Sequence, residues 1–256
     1  MKPLFSLLIF IPGLLFTACD DSQPKHTNNQ STSPQAHHTD SMSIQVEWYG
    51  ALKSMMHQGD LSSKVSLQEL PKKHTYALGA LERLKGEILI WDGQPFISKM
   101  IGEHVNIDSS WNHQAALLVT SSVSQWTTQP IPSTIQNIKT LTGFIQQQAE
   151  QNKINTTQPF PFLLQGKVNS LQWHVVDWPD GDTIHTHQKH VTSGAFGTKS
   201  NIEIEILGFY STKHKGIFTH HSSDVHMHFK TKEYPYAGHV DGLFIHDMKL
   251  HLPAKD

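Results

Sequence analysis

Cysteine and arginine are nearly absent from the chain, and each scarcity limits what the chain can do. Cys19 is the only cysteine among 256 residues, which leaves no internal disulfide and no thiolate metal site. Arg83 is the only arginine. The formal net charge is −2 and the basic residues are not clustered. Nothing therefore suggests binding to nucleic acid or electrostatic docking to a membrane.

Nucleotide-binding loops and internal repeats are missing as well. The sequence contains neither a G-x-x-x-x-G-K-[ST] loop nor a G-x-G-x-x-G fingerprint, so the two commonest phosphate-binding motifs are excluded. Histidine, by contrast, is abundant, with 19 residues. Histidine is therefore the residue type best able to supply a reactive or metal-binding site.

Residues 1–19 have the features of a lipoprotein-type signal peptide. Lys2 supplies a positive charge, and residues 4–16 form an apolar run that is too short for a stable transmembrane span. Leu15-Phe16-Thr17-Ala18-Cys19 resembles a bacterial lipobox. We therefore expect cleavage before Cys19, lipid attachment to Cys19, and a chain exported to the periplasmic side of the cell envelope, where this lipid is its only membrane contact. An ordinary cleaved signal peptide is the alternative.

Residues 20–42 are predicted to be a disordered linker. They are rich in Ser, Gln, Asn, Thr, Pro and His and have almost no apolar side chains, so they cannot bury enough surface to fold. Residues 43–256 suit one large domain or two closely associated lobes. Gln158-Pro159-Phe160-Pro161 marks a boundary, which divides this domain into lobes of residues 43–157 and 158–256.

Local patterns predict several elements. Residues 202–210 alternate isoleucine with glutamate up to Leu207, which is typical of a strand. Residues 85–93 indicate an apolar strand closed by an Asp-Gly hairpin turn. Residues 133–151 keep a helical period, with Ser133 as the N-cap. Residues 162–176 are predicted to form a hairpin that turns between Lys167 and Val168.

The central pattern is a pair of histidines on a predicted strand. His226 and His228 alternate with Val225, Met227 and Phe229, so both imidazoles lie on one face. His239 on a returning strand can supply a third ligand. Three histidines with an open fourth position are typical of a catalytic zinc site, although imidazole also suits copper, iron and nickel. H-x-H occurs twice, about as often as chance predicts for 19 histidines, so spacing alone leaves a structural role equally open.

Other histidines remain ambiguous. The stretch from His185 to His190, which also contains His187, could be a second metal site, but no clear strand or helix is predicted to fix its ligands. His220 and His221 precede the central strand and could line the mouth of a pocket, support the metal ligands, or lie on the surface.

The chain resembles the alpha-acetolactate decarboxylase family from about Glu47 to Lys249. The resemblance is carried by four segments: Leu84-Lys85-Gly86-Glu87-Ile88-Leu89-Ile90-Trp91-Asp92-Gly93, Gln158-Pro159-Phe160, Leu207-Gly208-Phe209-Tyr210, and His226-x-His228-Phe229 with Ala237-Gly238-His239-Val240-Asp241. It implies an α+β fold, with two lobes of mixed or antiparallel β-sheet flanked by a few helices.

The resemblance also implies a reaction and its residues. His226, His228 and His239 would hold one zinc ion per chain, and Glu87 would deliver a proton after CO₂ leaves 2-acetolactate or a related 2-hydroxy-3-oxo acid. The product would be acetoin, which makes the chain a carboxy-lyase, and a homodimer is one possible assembly. The position of Glu87 at the head of an apolar strand, taken alone, instead favours an exposed side chain.

Three positions depart from the family pattern. Ala80 stands where the family has a threonine, and His174 or Val175 stands where it has an arginine. The family glutamate of the C-terminal tail is not matched. Protonated His174, His185 or His187 could replace the arginine, although histidine is a poorer fixed cation.

A second hypothesis therefore stands beside the enzyme: a non-catalytic, histidine-rich metal-binding lipoprotein on the same scaffold. Export favours this second reading, because acetolactate is normally made in the cytoplasm, whereas Glu87 favours the enzyme.

Overall fold

The structure, a computed structural model, describes residues 42–232 and 236–254. The predicted signal peptide, Cys19 and all but the last residue of the predicted linker lie outside the described residues. Within the part of the chain that is described, no helix is long and apolar enough to cross a membrane.

Seven strands of the described chain form the first sheet. They are β1 (Val46–Tyr49), β2 (Val65–Ser66), β3 (Thr75–Leu81), β4 (Glu87–Trp91), β5 (Gln94–Ile101), β6 (His104–Asp108) and β7 (Gln114–Ser122). Their order is β1-β7-β3-β4-β5-β6, and β2 pairs with β7. The Asp-Gly turn predicted after the apolar strand is present, because Asp92 and Gly93 connect β4 to β5 with φ values of 48° and 78°.

Five strands form the second sheet. They are β8 (Trp126–Pro130), β9 (Phe160–Val175), β10 (Ala195–Tyr210), β11 (Val225–Thr231) and β12 (Ala237–Pro253). Their order is β11-β10-β9-β12-β8, and β11 pairs with β12 as well. The named strands of both sheets pair antiparallel. The expected α+β class with two β-sheet lobes and a few helices is confirmed.

The helices are few and short. They are α1 (Leu52–Gln58), α2 (Ile138–Gln151) and α3 (His187–Thr192), with 3-10 turns at Leu67–Glu69 and Glu82–Leu84. The strands of the first sheet end before β8, which pairs with β12, and α2 packs into the core of the second sheet through Leu141 and Ile145. The two sheets therefore separate between Ser122 and Trp126, earlier than the lobe boundary predicted at residue 158.

Two predicted elements differ from the structure. Residues 160–175 form the single strand β9 and not a hairpin, because β9 pairs along its length with β10 on one side and β12 on the other. Gly166, which has a φ of 142°, stays paired with Ile204 and Met248, so the strand continues through it. The helix predicted from Ser133 begins at Ile138. Residues 133 and 134 form a turn instead, and the Gln136 carbonyl accepts a backbone hydrogen bond from Ile245 of β12 (2.8 Å).

The two sheets are joined by one cluster of buried apolar side chains. The first sheet contributes Leu78, Leu89, Leu117 and Val119, and the second sheet contributes Leu163, Leu207 and Phe209. Burial of this apolar surface is the main stabilising term for such an interface. It fixes the sheets face to face and so determines which side chains of one sheet reach the other.

The cap of α2 gives a test of the observed helix start. The Asn137 side chain accepts a hydrogen bond from the Thr140 N–H (3.1 Å), so Asn137→Ala is expected to lower the free energy of unfolding by about 1 kcal/mol. Ser133→Ala is the matched control and should leave stability unchanged. Urea unfolding of both variants is the measurement, and the reverse ranking would place the helix start at Ser133.

Candidate metal centre

Three histidines meet because of the register between β11 and β12. His226 and His228 alternate along β11, and His228 lies directly opposite His239 of β12. On the other side of β11, Phe209 and Leu207 of β10 pair with His226 and His228. The pairing on both sides fixes the strand, so the imidazoles cannot turn away without disrupting the sheet.

The nitrogen atoms of these rings converge. The Nε2 atoms of His226 and His228 are 3.2 Å apart, and one ligand nitrogen from each of the three histidines lies within 4.8 Å of the others. Two ligands of a tetrahedral zinc ion, each about 2.0–2.1 Å from the metal, are roughly 3.3 Å apart. The spacing of the first pair therefore already suits an ion between them.

The chemistry of the donors also suits a metal ion. His226 is 9% exposed and His228 is fully buried. Burial lowers the pKa of both imidazoles well below the usual value, and neighbouring histidines lower it further. Both rings are therefore neutral near pH 7 and keep a lone pair for a cation. Backbone hydrogen bonding to Phe218 for His226, and to Ile88 for His228, opposes this pKa shift, as groups that orient a metal-ligating imidazole do.

Glu87 reaches this cluster from the first sheet. Its side chain is only 4% exposed, and its two carboxylate oxygens lie 3.6 Å from the Nε2 atoms of His174 and His228. The Val176 N–H donates a hydrogen bond to Oε1 (3.2 Å). Burial raises the pKa of Glu87, although His174 and His239 oppose the shift. This carboxyl group is therefore placed to hold a proton.

The exposure favoured for Glu87 from its strand position alone was wrong. β4 is an interior strand, in which Glu87 pairs with Ala80 on one side and Ser98 on the other. The second sheet covers the start of β4, because Ser98 Oγ donates a buried hydrogen bond of 2.7 Å to the Ala237 carbonyl. Only this docking of two sheets decides the environment of Glu87.

His174 and Asp241 complete the polar wall beside the three histidines. His174 of β9 lies opposite His239 of β12, and its Nδ1 is 2.8 and 2.9 Å from the two carboxylate oxygens of Asp241. Asp241 Oδ1 is also 3.0 Å from Nδ1 of His239. One carboxylate therefore orients a candidate metal ligand and a neighbouring histidine at once.

This pair has shifted protonation equilibria. Burial alone would lower the pKa of His174, but the hydrogen bond to Asp241 and, when Glu87 is ionised, the charge of Glu87 raise it above the usual value. Burial alone would raise the pKa of Asp241, but the hydrogen bonds to His174 and His239 lower it below the usual range. The pair therefore favours a cationic His174 beside an ionised Asp241.

Asp241 was not predicted as a site residue, although the sequence contains a signal for it. It lies two residues after His239 and so shares its strand face. A β-bulge between Val240 and Gly242 leaves Asp241 without a partner on β9, and bulges commonly redirect side chains beside functional sites.

These residues line a cavity of about 1010 Å³. Its wall includes Glu87, His174, His226, His239 and Asp241, and also Ala80 at the position of the family threonine. The cavity is large enough for a small organic acid. Its lining combines apolar side chains with a few convergent polar groups, as ligand sites commonly do.

The only arginine does not contribute to this wall. Arg83 lies in the 3-10 turn before β4, and its guanidinium is 2.7 Å from Asp180 with both side chains 62% exposed. His174 therefore lines the cavity, whereas Arg83 does not.

Comparisons with known proteins point to one family. The family model for alpha-acetolactate decarboxylase matches residues 48–255. No curated protein sequence matches the chain. The chain superimposes on alpha-acetolactate decarboxylase from Bacillus subtilis strain 168 with a TM-score of 0.66 and 16% identity, covering 82% of this chain and 86% of that one. A Staphylococcus aureus protein of unknown function, described as similar to alpha-acetolactate decarboxylase, gives a TM-score of 0.64 at 16% identity over the same shares.

The three converging histidines predict a tight metal site. The triple variant His226→Ala, His228→Ala and His239→Ala is expected to lose one tightly bound ion per chain, because every nitrogen ligand is removed. Metal content after dialysis against a chelator is the measurement, with circular dichroism to verify folding.

The matched control replaces three exposed histidines, His57, His104 and His246, and should keep the ion. Full metal content in the first variant, or none in the natural chain, would show that the site is elsewhere or absent.

Proposed function

The chain belongs to the alpha-acetolactate decarboxylase family, and on that premise we propose that it removes CO₂ from 2-acetolactate, or a related 2-hydroxy-3-oxo acid, to give acetoin. The observation that carries the proposal is the burial of Glu87 with a carboxylate oxygen 3.6 Å from Nε2 of His228, in the cavity that the histidines line. Burial of a carboxyl group costs stability, and buried acids with shifted pKa values cluster at functional sites.

Zinc is the metal that we propose for the site, held by His226, His228 and His239. Three imidazoles without sulfur ligands match the ligand sets of catalytic zinc, with one side left open to the cavity. When bound, the ion would supply Lewis acidity at the hydroxyl and carbonyl oxygens of the substrate. Other divalent ions that accept imidazole fit the same donors.

Glu87 is proposed to protonate the reacting carbon. When the bond to the carboxylate breaks, its electron pair remains on the carbon next to the carbonyl group, and that carbon must take up one proton to become acetoin. The raised pKa of Glu87 keeps a proton available, and the Val176 N–H holds its Oε1. Solvent then returns the proton to Glu87, which balances the reaction as a general acid requires.

His174 is proposed to hold the carboxylate of the substrate, the task that the resemblance gives to an arginine. Its ring lies in the cavity wall, and Asp241 fixes its Nδ1, which leaves Nε2 directed to the side of Glu87. A histidine offers one charge-assisted hydrogen bond where arginine offers two. We therefore expect weaker substrate binding than an arginine would give.

Two further proposals rest on the sequence. Residues 1–19 support export and lipid attachment at Cys19, which would place the domain on the periplasmic side of the cell envelope. The abundance of histidine supports the alternative of a non-catalytic metal-binding lipoprotein. That alternative has no use for the buried Glu87, which is why we favour the enzyme.

Glu87→Gln is expected to reduce acetoin formation from racemic acetolactate by about 10²-fold or more, because the amide keeps the shape but cannot donate a proton in this way. Bound metal should remain at one ion per chain. Glu103→Gln on the exposed turn before β6 is the matched control and should behave as the natural chain. Unchanged turnover in Glu87→Gln would remove this residue from the reaction.

His174→Gln is expected to raise KM for acetolactate about tenfold or more, because one charge-assisted hydrogen bond to the carboxylate is lost. Steady-state kinetics with metal analysis is the measurement, and metal content should not change. His246→Gln, an exposed position on β12, serves as the control. A KM equal to that of the natural chain would show that another group holds the carboxylate.

A further inference from the structure

Three histidines outside the candidate metal centre line the same cavity. They are His187, His190 and His220, and all are more exposed than the buried His226 and His228. His185 contacts His190 and joins this group. We call these four residues the rim histidines, and neither the metal centre nor the proposed reaction uses them.

His185 and His190 form the tightest pair of the rim histidines. Nδ1 of His185 is 2.9 Å from Nε2 of His190, and the ring centroids are 5.2 Å apart. Within the metal centre the corresponding values for His226 and His228 are 3.2 Å and 5.0 Å. The rim pair is joined by a hydrogen bond, and an ion that replaced the shared proton would need the two nitrogen atoms to separate by only a few tenths of an ångström, to roughly 3.3 Å.

The loop that carries the pair is held in place by several contacts. The Trp178 ring is 2% exposed, and the His185 ring stacks on it at 4.4 Å with an interplanar angle of 12°. The Trp178 Nε1–H donates to the Asp182 carbonyl (2.9 Å). Thr186 caps α3 by accepting a hydrogen bond from the Lys189 N–H (3.2 Å). The expectation that no helix fixes this segment was therefore wrong, because α3 contains His187 and His190.

His187 and His220 form a second pair of rim histidines, and both line the cavity. The rings of His187 and His220 are 5.1 Å apart, and His221 packs on His220 at 3.9 Å. Histidines from α3 and from the turn before β11 therefore approach each other on the wall of the cavity that also contains the metal centre.

The rim pair offers neutral nitrogen ligands. Burial lowers the pKa of His190 to about 4 and also lowers the pKa of His185. The nearest acid, Asp182, is engaged by Lys189. Without free carboxylate oxygens the pair does not suit calcium or magnesium, whereas imidazole suits zinc, copper and nickel.

We propose that His185 and His190 bind a second divalent transition-metal ion at the rim of the cavity, with water completing its coordination. Two protein ligands bind less tightly than three, so this ion should dissociate more readily than the ion of the metal centre. Such a site would suit capture of an ion from solvent. The proposal does not depend on the decarboxylation, because metal binding can be measured without substrate.

The test is a zinc titration of the full chain after one equivalent has been bound and free metal removed. Equilibrium dialysis followed by metal analysis should show a second, weaker equivalent. In the variant His185→Phe with His190→Phe the second equivalent should disappear, or its Kd should rise at least tenfold, while the first equivalent remains. Phenylalanine at position 185 keeps a ring on Trp178, which protects the fold of the loop.

The control variant His57→Phe with His104→Phe removes two exposed histidines elsewhere and should keep both equivalents. Absence of a second equivalent in the natural chain, or its retention with unchanged Kd in the rim variant, would overturn the proposal. If circular dichroism shows that the double variant has lost its fold, His190→Gln alone is measured, and the same loss is expected.

Discussion

The register of three neighbouring strands is the constraint on which the rest of the site depends. His239 of β12 pairs with His174 of β9 on one side and with His228 of β11 on the other. Because side chains alternate along a strand, a slip of one residue in either pairing would direct an imidazole to the opposite face. Long pairings along β9, β10 and β12 make such a slip costly. The backbone therefore positions the donors before any ion binds.

A second requirement is the docking of the two sheets. Three histidines on one sheet could bind a metal ion alone, but the buried Glu87 beside them comes from the other sheet. Glu87 begins β4, and the hydrogen bond from Ser98 to the Ala237 carbonyl links the neighbouring strand to the start of β12. Apolar burial between the sheets supplies the stabilisation, and this hydrogen bond helps to fix the alignment of one sheet on the other. Asp241 then connects His174 to His239, so the proposed cation and a metal ligand share one support.

The sequence was informative wherever the signal was local. The alternation around His226 and His228 predicted their shared face, and Asp92-Gly93 predicted a hairpin. It failed where the outcome depended on residues distant in the chain. Glu87 looks like an edge residue until the second sheet covers it, and residues 162–176 look like a hairpin until strands pair on both sides. Ser133 is a plausible cap, but the backbone pairing of Gln136 with β12 delays the helix to Ile138. The position of Asp241 depends on the β-bulge in β12, which local sequence patterns do not predict.

The most direct test of the proposed function is whether acetoin formation depends on one ion in the metal centre. The full chain would be assayed with racemic acetolactate as purified, after removal of its metal, and after return of one equivalent of zinc, with metal content measured each time. Activity is expected to be lost with the ion and restored by the first equivalent. A protein that holds one zinc ion per chain, is folded, and forms no acetoin above the uncatalysed rate would contradict the proposed function.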